Sequence, residues 1–299
     1  MEIGYLTLDV FTDEAFGGNP LGVVPDARGL STEQMQAITR EFGYSESTFV
    51  LPPADPAHDA EVRIFTPARE IPFAGHPNVG TACALGRLGN VHGKPVGEQL
   101  LFEERAGLVA VKLLRSGDRV DGAEFTAPQE LSLGETLAAE IVAECVGLSP
   151  EDMVTARHLP TWSSVGLPFF IAEVRDREAL AKATPKADVF AKHLPIAGSD
   201  DIHLYCRCPA EDVFDVRTRM FAPLQGIKED PATGSANAAL TGLLASLEAD
   251  GTHRFVIAQG VEMGRPSRLD TAAVKAGGAV TEIRVGGNCV TMMKGTLHI

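Results

Sequence analysis

The 299-residue chain is short of positive charge, of paired cysteines and of long apolar runs. Lys and Arg number 26 against 40 Asp and Glu, a formal net charge of −14. Nucleic acid and anionic membrane surfaces need clustered Lys and Arg, so neither is an expected partner. A small anionic substrate is not excluded, because a basic pocket can lie inside an acidic protein. No uninterrupted apolar stretch reaches the length of a membrane span. The opening "MEIGYLTLDVFTDEAFGG" is interrupted by acids and has no basic end ahead of an apolar core, so no secretory signal is expected there. The five cysteines, Cys83, Cys145, Cys206, Cys208 and Cys289, are odd in number and scattered. That pattern suggests reduced thiols in a cytoplasmic protein and not a disulfide framework. Cys206 and Cys208 flank Arg207 in an expected strand and so share a face. Without a second Cys or His pair at ligand spacing they read as core and not as a zinc site. No metal cluster and no Walker loop appears, and "GGNPLG" (17–22) lacks the spacing and setting of a dinucleotide fingerprint. Nothing in the chain calls for a cofactor or a metal.

At 44% apolar and 22% charged residues, the composition is that of a globular protein. Its main feature is repetition. "HPNVGTACAL" (76–85) aligns with "DPATGSANAA", which starts 154 residues later at 230. Pro77 meets Pro231, Gly80 meets Gly234, Thr81 meets Ser235, Ala82 meets Ala236 and Ala84 meets Ala238. Upstream, "GNPLGVV" (18–24) aligns with "GLPFFIA" (166–172), 148 residues apart. Two matches at nearly one offset point to an internal duplication. Each half also carries short β-rich runs, "STFVLPP", "AEVRIFTP" and "LVAVKLL" in the first, "PFFIAEV", "DIHLYCRC" and "HRFVIAQG" in the second. "STEQMQAITREFG" and "GETLAAEIVAECVG" read as amphipathic outer helices.

The repeated helices are different. They start apolar on every side and rich in Gly, Ala, Ser and Thr, as suits a helix enclosed by strands. The expected fold class is α+β, with two pseudo-symmetric domains, each a barrel-like sheet wrapped around a central helix. The halves are placed at 1–128 and 129–299, with the join near "TAPQELSLGE" (126–135) and the last strands free to return to the first half. The final "VGGNCVTMMKGTLHI" (285–299) reads as a hairpin.

Pro77 and Pro231 fit the first helical position, which puts His76 and Asp230 at the caps. Free backbone N–H groups then point out of each helix start and attract a carboxylate or phosphate. If the halves face each other, His76 and Asp230 stand opposed across one cleft. Plainer readings stay open. Asp230 can simply cap the Thr233 amide, and His76 can be a buried, hydrogen-bonded imidazole. Glu46, in "YSESTFV" (44–50), can be a solvated carboxylate at a strand start. Desolvated in a cleft, it would instead hold a proton more tightly and could carry it back and forth.

With these residues in view, the chain resembles the PhzF-like family of phenazine-biosynthesis isomerases, which has the diaminopimelate-epimerase-like fold. The resemblance rests on "DVFTDEAFGGNPLGVV" (9–24), "YSESTFV" (44–50), "RIFTPAREIPFAGHPNVGTA" (63–82), "RMFAPLQGIKEDPATGSA" (219–236) and "QGVEMGRPSRL" (259–269). It implies two similar domains with the active site between them, a homodimer, and cofactor-free isomerisation of the trans-2,3-dihydro-3-hydroxyanthranilate type. On that analogy Glu46 removes a proton from the ring and returns it to another carbon. His76 and Asp230 hold the substrate and assist, and Ser235 with the amides of Gly75 and Gly234 contacts its carboxylate. Asn19 and Arg265 also match family positions, although a Gly–Pro turn and an ordinary ion pair explain them equally well.

Two other classes stay open. A cofactor-independent amino-acid racemase or epimerase on this fold uses a cysteine at each helix mouth, and here "FAGHPN" and "DPATGS" contain none. Cys83 lies too deep in its helix, while epimerisation through Glu46 remains possible. The other class is a non-catalytic protein that holds a carboxylated metabolite at the helix ends. A phosphate binder would need Lys or Arg nearby, which the helix mouths lack.

Overall fold

The computed structural model describes all 299 residues, in two compact units. The first comprises 1–128 together with 285–299, and the second 129–284.

The first unit is organised by the helix Gly75–Leu88, whose residues from Gly75 to Gly86 are all buried. A helix with no polar face has to be covered on every side. Strands do this in a closed succession. Glu2–Val10 pairs antiparallel with Asn19–Val24, which runs parallel to Glu46–Leu51. That strand is antiparallel to Ala60–Phe65, which is parallel to Gln99–Glu104. Gly107–Ser116 and Arg119–Thr126 follow as antiparallel neighbours. The last strand, Ala279–His298, pairs with Arg119–Thr126 and returns antiparallel to Glu2–Val10, which closes an eight-strand barrel. Outside it lies the helix Thr32–Phe42, opened by a Ser31/Gln34 capping box and ended by Gly43 in the left-handed region. Its Met35 and Ile38 pack with Val24, Phe49 and Phe65.

The second unit repeats this order. Thr161–Ser164 is antiparallel to Pro168–Val174, which is parallel to Ile202–Arg207. Val216–Ala222 follows antiparallel, Gly251–Gln259 parallel and Ser267–Ala276 antiparallel. Ser132–Thr136 flanks Thr161–Ser164 on its other side. The enclosed helix is Gly234–Ser246, buried through Ala245. The short helices Ala139–Val146, Arg177–Lys182 and Ala187–His193 carry residues of a common core cluster with Phe170, Leu204, Cys206 and Phe221.

The duplication reaches individual contacts. Arg63 binds both oxygens of Glu70 at 2.8 and 2.7 Å, with its guanidinium 5.2 Å over the Phe65 ring. Arg219 does the same to Glu229 at 2.8 and 2.7 Å, 4.8 Å over Phe221. Fork-like pairing and stacking on a ring are what guanidinium geometry favours.

Three local expectations are corrected. Residues 285–299 form no hairpin but belong to one long strand, Ala279–His298. Its glycines allow strand contact and make no turn: a Cβ on Gly286 would stand 2.9 Å from the Glu124 Cβ. The outer helix expected in "GETLAAEIVAECVG" starts only at Ala139, because Ser132–Thr136 is already a strand. Cys206 lies in the core, but Cys208 falls past the end of its strand and is only half-buried.

Gly122 marks the closure of the first barrel. A Cβ there would sit 2.0 Å from the Gly287 carbonyl oxygen, a backbone atom that cannot move aside. Gly122→Ala is therefore expected to destabilise the protein by about 3 kcal/mol, towards the upper end for overpacked sites. Urea-unfolding midpoints of the variant and the parent check this.

Candidate active site

In the first unit the parallel pair 19–24 and 46–51 starts two polar residues at one end of the sheet, with Leu21 opposite Glu46. The buried helix starts beside them. Ser45 donates to the Asn19 Oδ1 at 3.0 Å, and the Asn19 Nδ2 meets the His76 Nδ1 at 3.3 Å. The other ring nitrogen, Nε2, lies 3.5 Å from the Glu46 Oε2. With the Asn19 amide donating, Nδ1 accepts, and the neutral ring carries its hydrogen on Nε2. That N–H is buried and makes no hydrogen bond of its own. Burial pushes the His76 pKa down to about 3, so the ring is neutral at any ordinary pH. The result is a carboxylate beside a neutral N–H donor, both largely withdrawn from water.

His76 is not a cap residue. Ala74 is the N-cap, without a side-chain hydrogen bond, which places Gly75, His76 and Pro77 in the first turn. Proline is tolerated throughout that turn because its missing N–H has no intrahelical partner there. In the second unit Thr233 is the N-cap, again without a side-chain cap bond, and Gly234 and Ser235 open the helix. Asp230 ends the strand Ile227–Asp230, and Pro231 precedes the cap. The repeat therefore has a different register from the one the prolines suggest. "GHPN" (75–78) lies over "GSAN" (234–237), so Ser235, and not Asp230, is the counterpart of His76. The shared Asn confirms it: the Asn78 Nδ2 donates to the Ala74 oxygen at 3.0 Å, and the Asn237 Nδ2 donates to the Thr233 oxygen at 3.0 Å.

Asp230 does not cap the Thr233 amide either. Its Oδ2 accepts from the Thr233 hydroxyl at 2.5 Å, while the amide donates to the Gln259 Oε1 at 3.0 Å. Gln259 is fully buried and ties this turn together. Its Oε1 also accepts from the Asn237 Nδ2 at 2.6 Å, and its Nε2 donates to the Asp230 oxygen at 2.8 Å and the Thr233 Oγ1 at 3.0 Å. Asp230, Thr233 and Ser235 are all buried. His203 closes the back of the network, donating from Nε2 to the Asn237 Oδ1 at 3.2 Å, and burial pushes its pKa down to about 4.

The structure thus joins Asn19, Glu46 and His76 in one unit, with Gly75 at the first position of their helix. It places Asp230, Gly234 and Ser235 around one helix start in the other. Sequence reasoning missed Gln259, Asn237 and Asp201. The paired G-x-x-N strings could have revealed the asparagine. Asp201 matches Glu46 in strand register, since Gly22 and Ser47 pair as Phe170 and Ile202 do. Burial, helped by the charges of Asp200 and Asp230, holds the Asp201 carboxyl well above the usual range.

A closed barrel around a buried helix in one unit, and the same strand order around a second buried helix in the other, make the α+β architecture of the epimerase-like fold. The family of phenazine biosynthesis-like proteins (PhzC-PhzF) matches residues 8–295. An uncharacterized isomerase of Mesorhizobium japonicum is 38% identical over 99% of this chain and 98% of its own. The trans-2,3-dihydro-3-hydroxyanthranilate isomerase of Pseudomonas aeruginosa is 35% identical over 99% of both. A solved phenazine biosynthesis protein of the PhzF family from Bacillus anthracis superposes with a TM-score of 0.88 at 25% identity, covering 100% of both chains. A hydroxyproline epimerase from Agrobacterium vitis shares the fold, with a TM-score of 0.64 at 14% identity, over 99% of this chain and 91% of its own. The chain belongs to the phenazine biosynthesis-like family, and it is an isomerase. No helix is long and apolar enough to cross a membrane.

The two buried histidines give stability a definite pH dependence. Both folded-state pKa values lie below the unfolded value near 6.5, so their contribution is complete above pH 6.5 and is lost as pH falls towards 4 and 3. His203→Gln keeps a donor towards Asn237 but cannot titrate. It is expected to lower the slope of unfolding free energy between pH 6 and 4.5 by about 1.4 kcal/mol per pH unit, one proton's worth. Urea titrations at four pH values read that slope.

Proposed function

We propose that the protein moves a proton between two carbons of a small carboxylated metabolite, unsaturated or cyclic, without a cofactor. One observation carries this: the Glu46 carboxylate 3.5 Å from the buried Nε2 of a histidine that burial keeps neutral. Carbon acids next to a double bond need a single base, a dry site and fixed donors. Glu46 takes the proton, and the C–H electron pair enters the adjacent π system. The carboxylic acid then returns the proton at another carbon, so nothing is gained or lost overall. His76 cannot supply a proton from an imidazolium, since its pKa is about 3. Its role is to present the Nε2–H as a hydrogen-bond donor to the negative charge that develops on the substrate, as neutral imidazoles do elsewhere. Asn19 keeps the ring in the required tautomer.

For the second unit we assign Asp230 and Ser235 to substrate contact, with the uncapped amides of Gly234 there and of Gly75 in the first unit as carboxylate donors. The relatives named as trans-2,3-dihydro-3-hydroxyanthranilate isomerases make an unsaturated cyclic amino acid a sensible first compound to test. Two-thiol racemisation is disfavoured, because Cys83 is buried in the third turn of its helix, behind the Gly75 end. Epimerisation through Glu46 would use the same proton step and differ in product: inversion at one carbon with no shift of a double bond.

Incubation in D2O with a panel of such compounds, read by mass spectrometry and NMR, should place deuterium on carbon. Glu46→Gln should lower incorporation by about 100-fold or more while the unfolding midpoint stays within a degree or two. Full activity in that variant removes Glu46 from its role, and no incorporation with any compound overturns proton relocation between carbons as the reaction.

A further inference from the structure

Glu104 has no part in the proton transfer above, yet its carboxyl is withdrawn from solvent. Both of its oxygens are buried, and neither completes a hydrogen bond. It ends the strand Gln99–Glu104 and lies against the side-chain amide of Asn78, in the first turn of the first buried helix. Burial pushes it well above the ordinary carboxylate range. The neighbouring charges are engaged elsewhere. Glu103 pairs with His58 at 2.7 Å, and Arg105 with Glu70 at 2.7 Å.

The second unit shows what this position does. Ala60 and Glu61 pair with Phe102 and Glu103 as Val216 and Arg217 pair with Ile257 and Ala258. One residue further, Glu104 is the counterpart of Gln259, and Asn78 is the counterpart of Asn237. Gln259 holds its helix start by accepting at Oε1 and donating from Nε2 to a backbone carbonyl. An ionised carboxylate can only accept, so it cannot fill the donor half of that role. A carboxylic acid carries an O–H and can donate as well as accept. An unpaired charge at this depth would also be costly.

We propose that Glu104 is a proton-bearing brace of the first turn at Gly75–Asn78, the acid counterpart of Gln259, and through that turn a positioning residue for His76. Its bearing on catalysis rests on the role given to His76, but the brace itself does not, and it is tested without substrate.

Glu104→Gln supplies the donor permanently. Below the unfolded-state pKa of a glutamate, near 4.5, the acid is neutral whether folded or not, and the variant gains nothing there. As pH rises, only the unfolded parent ionises, so the parent loses stability and the variant does not. The Tm of Glu104→Gln should therefore draw ahead of the parent by roughly 2–4 °C per pH unit between pH 5 and 7. The Glu104 carboxyl 13C shift should remain that of the protonated acid at pH 7. Raising pH until it ionises should move the His76 ring 15N resonances in the parent and leave them still in Glu104→Gln. Glu104→Leu should speed amide exchange at residues 75–78 at least tenfold, with Glu104→Gln retaining parental protection. A carboxyl ionised at pH 7, a Tm gap that is flat with pH, or His76 resonances indifferent to Glu104 each overturn the proposal. If Glu104→Leu does not fold, the first three measurements decide.

Discussion

A helix without a polar face cannot lie on a surface, and everything else in this protein answers to that constraint. Gly75–Leu88 is buried through Gly86 and Gly234–Ser246 through Ala245, so each needs strands around its whole circumference. In the first unit a closed barrel meets this need. Small residues along the helices let the strands come close, as at Gly80, where a Cβ would stand 2.5 Å from the Leu21 side chain. Close packing of this kind is worth more than the weak helix propensity of the sequence, which is rich in Gly and Thr.

Enclosing a helix also buries its first turn, where the backbone N–H groups have no partner within the helix. Neither N-cap residue supplies a side-chain bond. The surroundings must then provide polar groups, and these gather at the same end. Asn19, Ser45, Glu46 and His76 do so in one unit, and Thr233, Asn237 and Gln259 in the other. Polarity in a dry environment is what proton transfer to and from carbon requires. The low pKa of His76 has the same cause, since desolvation removes the charged form and leaves a ring that can only share its hydrogen. The fold and the dry, polar helix starts are thus two consequences of one burial.

The halves share a plan and differ in their ionisable groups. The strand position that holds Glu46 in one unit holds Asp201 in the other, and the position of Gln259 is occupied by Glu104. The helix position of His76 is taken by Ser235. The Arg–Glu–Phe clusters at Arg63 and Arg219 stay alike because they serve the shared scaffold. These differences lie at the helix starts, where one plan is completed with different polar groups in each unit.

Several features follow from the order of residues alone. Composition, the all-round apolar helices and the doubled strings determine an α+β protein written twice, because periodicity and burial are local consequences of side-chain type. The acid in "SES" and the histidine in "GHP" are singled out differently, by the doubled helix start and by the family resemblance. The register of the repeat could not be read from the sequence. Prolines at 77 and 231 attract an alignment by identity, whereas hydrogen bonds from Asn78 and Asn237 fix a different one, and such bonds depend on where the chain is folded. The strand character of 279–298 was hidden by glycines that ordinarily mark turns and here permit contact with residues far away in the chain. Only the tertiary structure decided that Gln259 would hold a helix start, that His76 would be dry and neutral, and that Glu104 would be sealed beside Asn78. Desolvation and hydrogen-bond completion are properties of surroundings, and a chain acquires its surroundings only by folding.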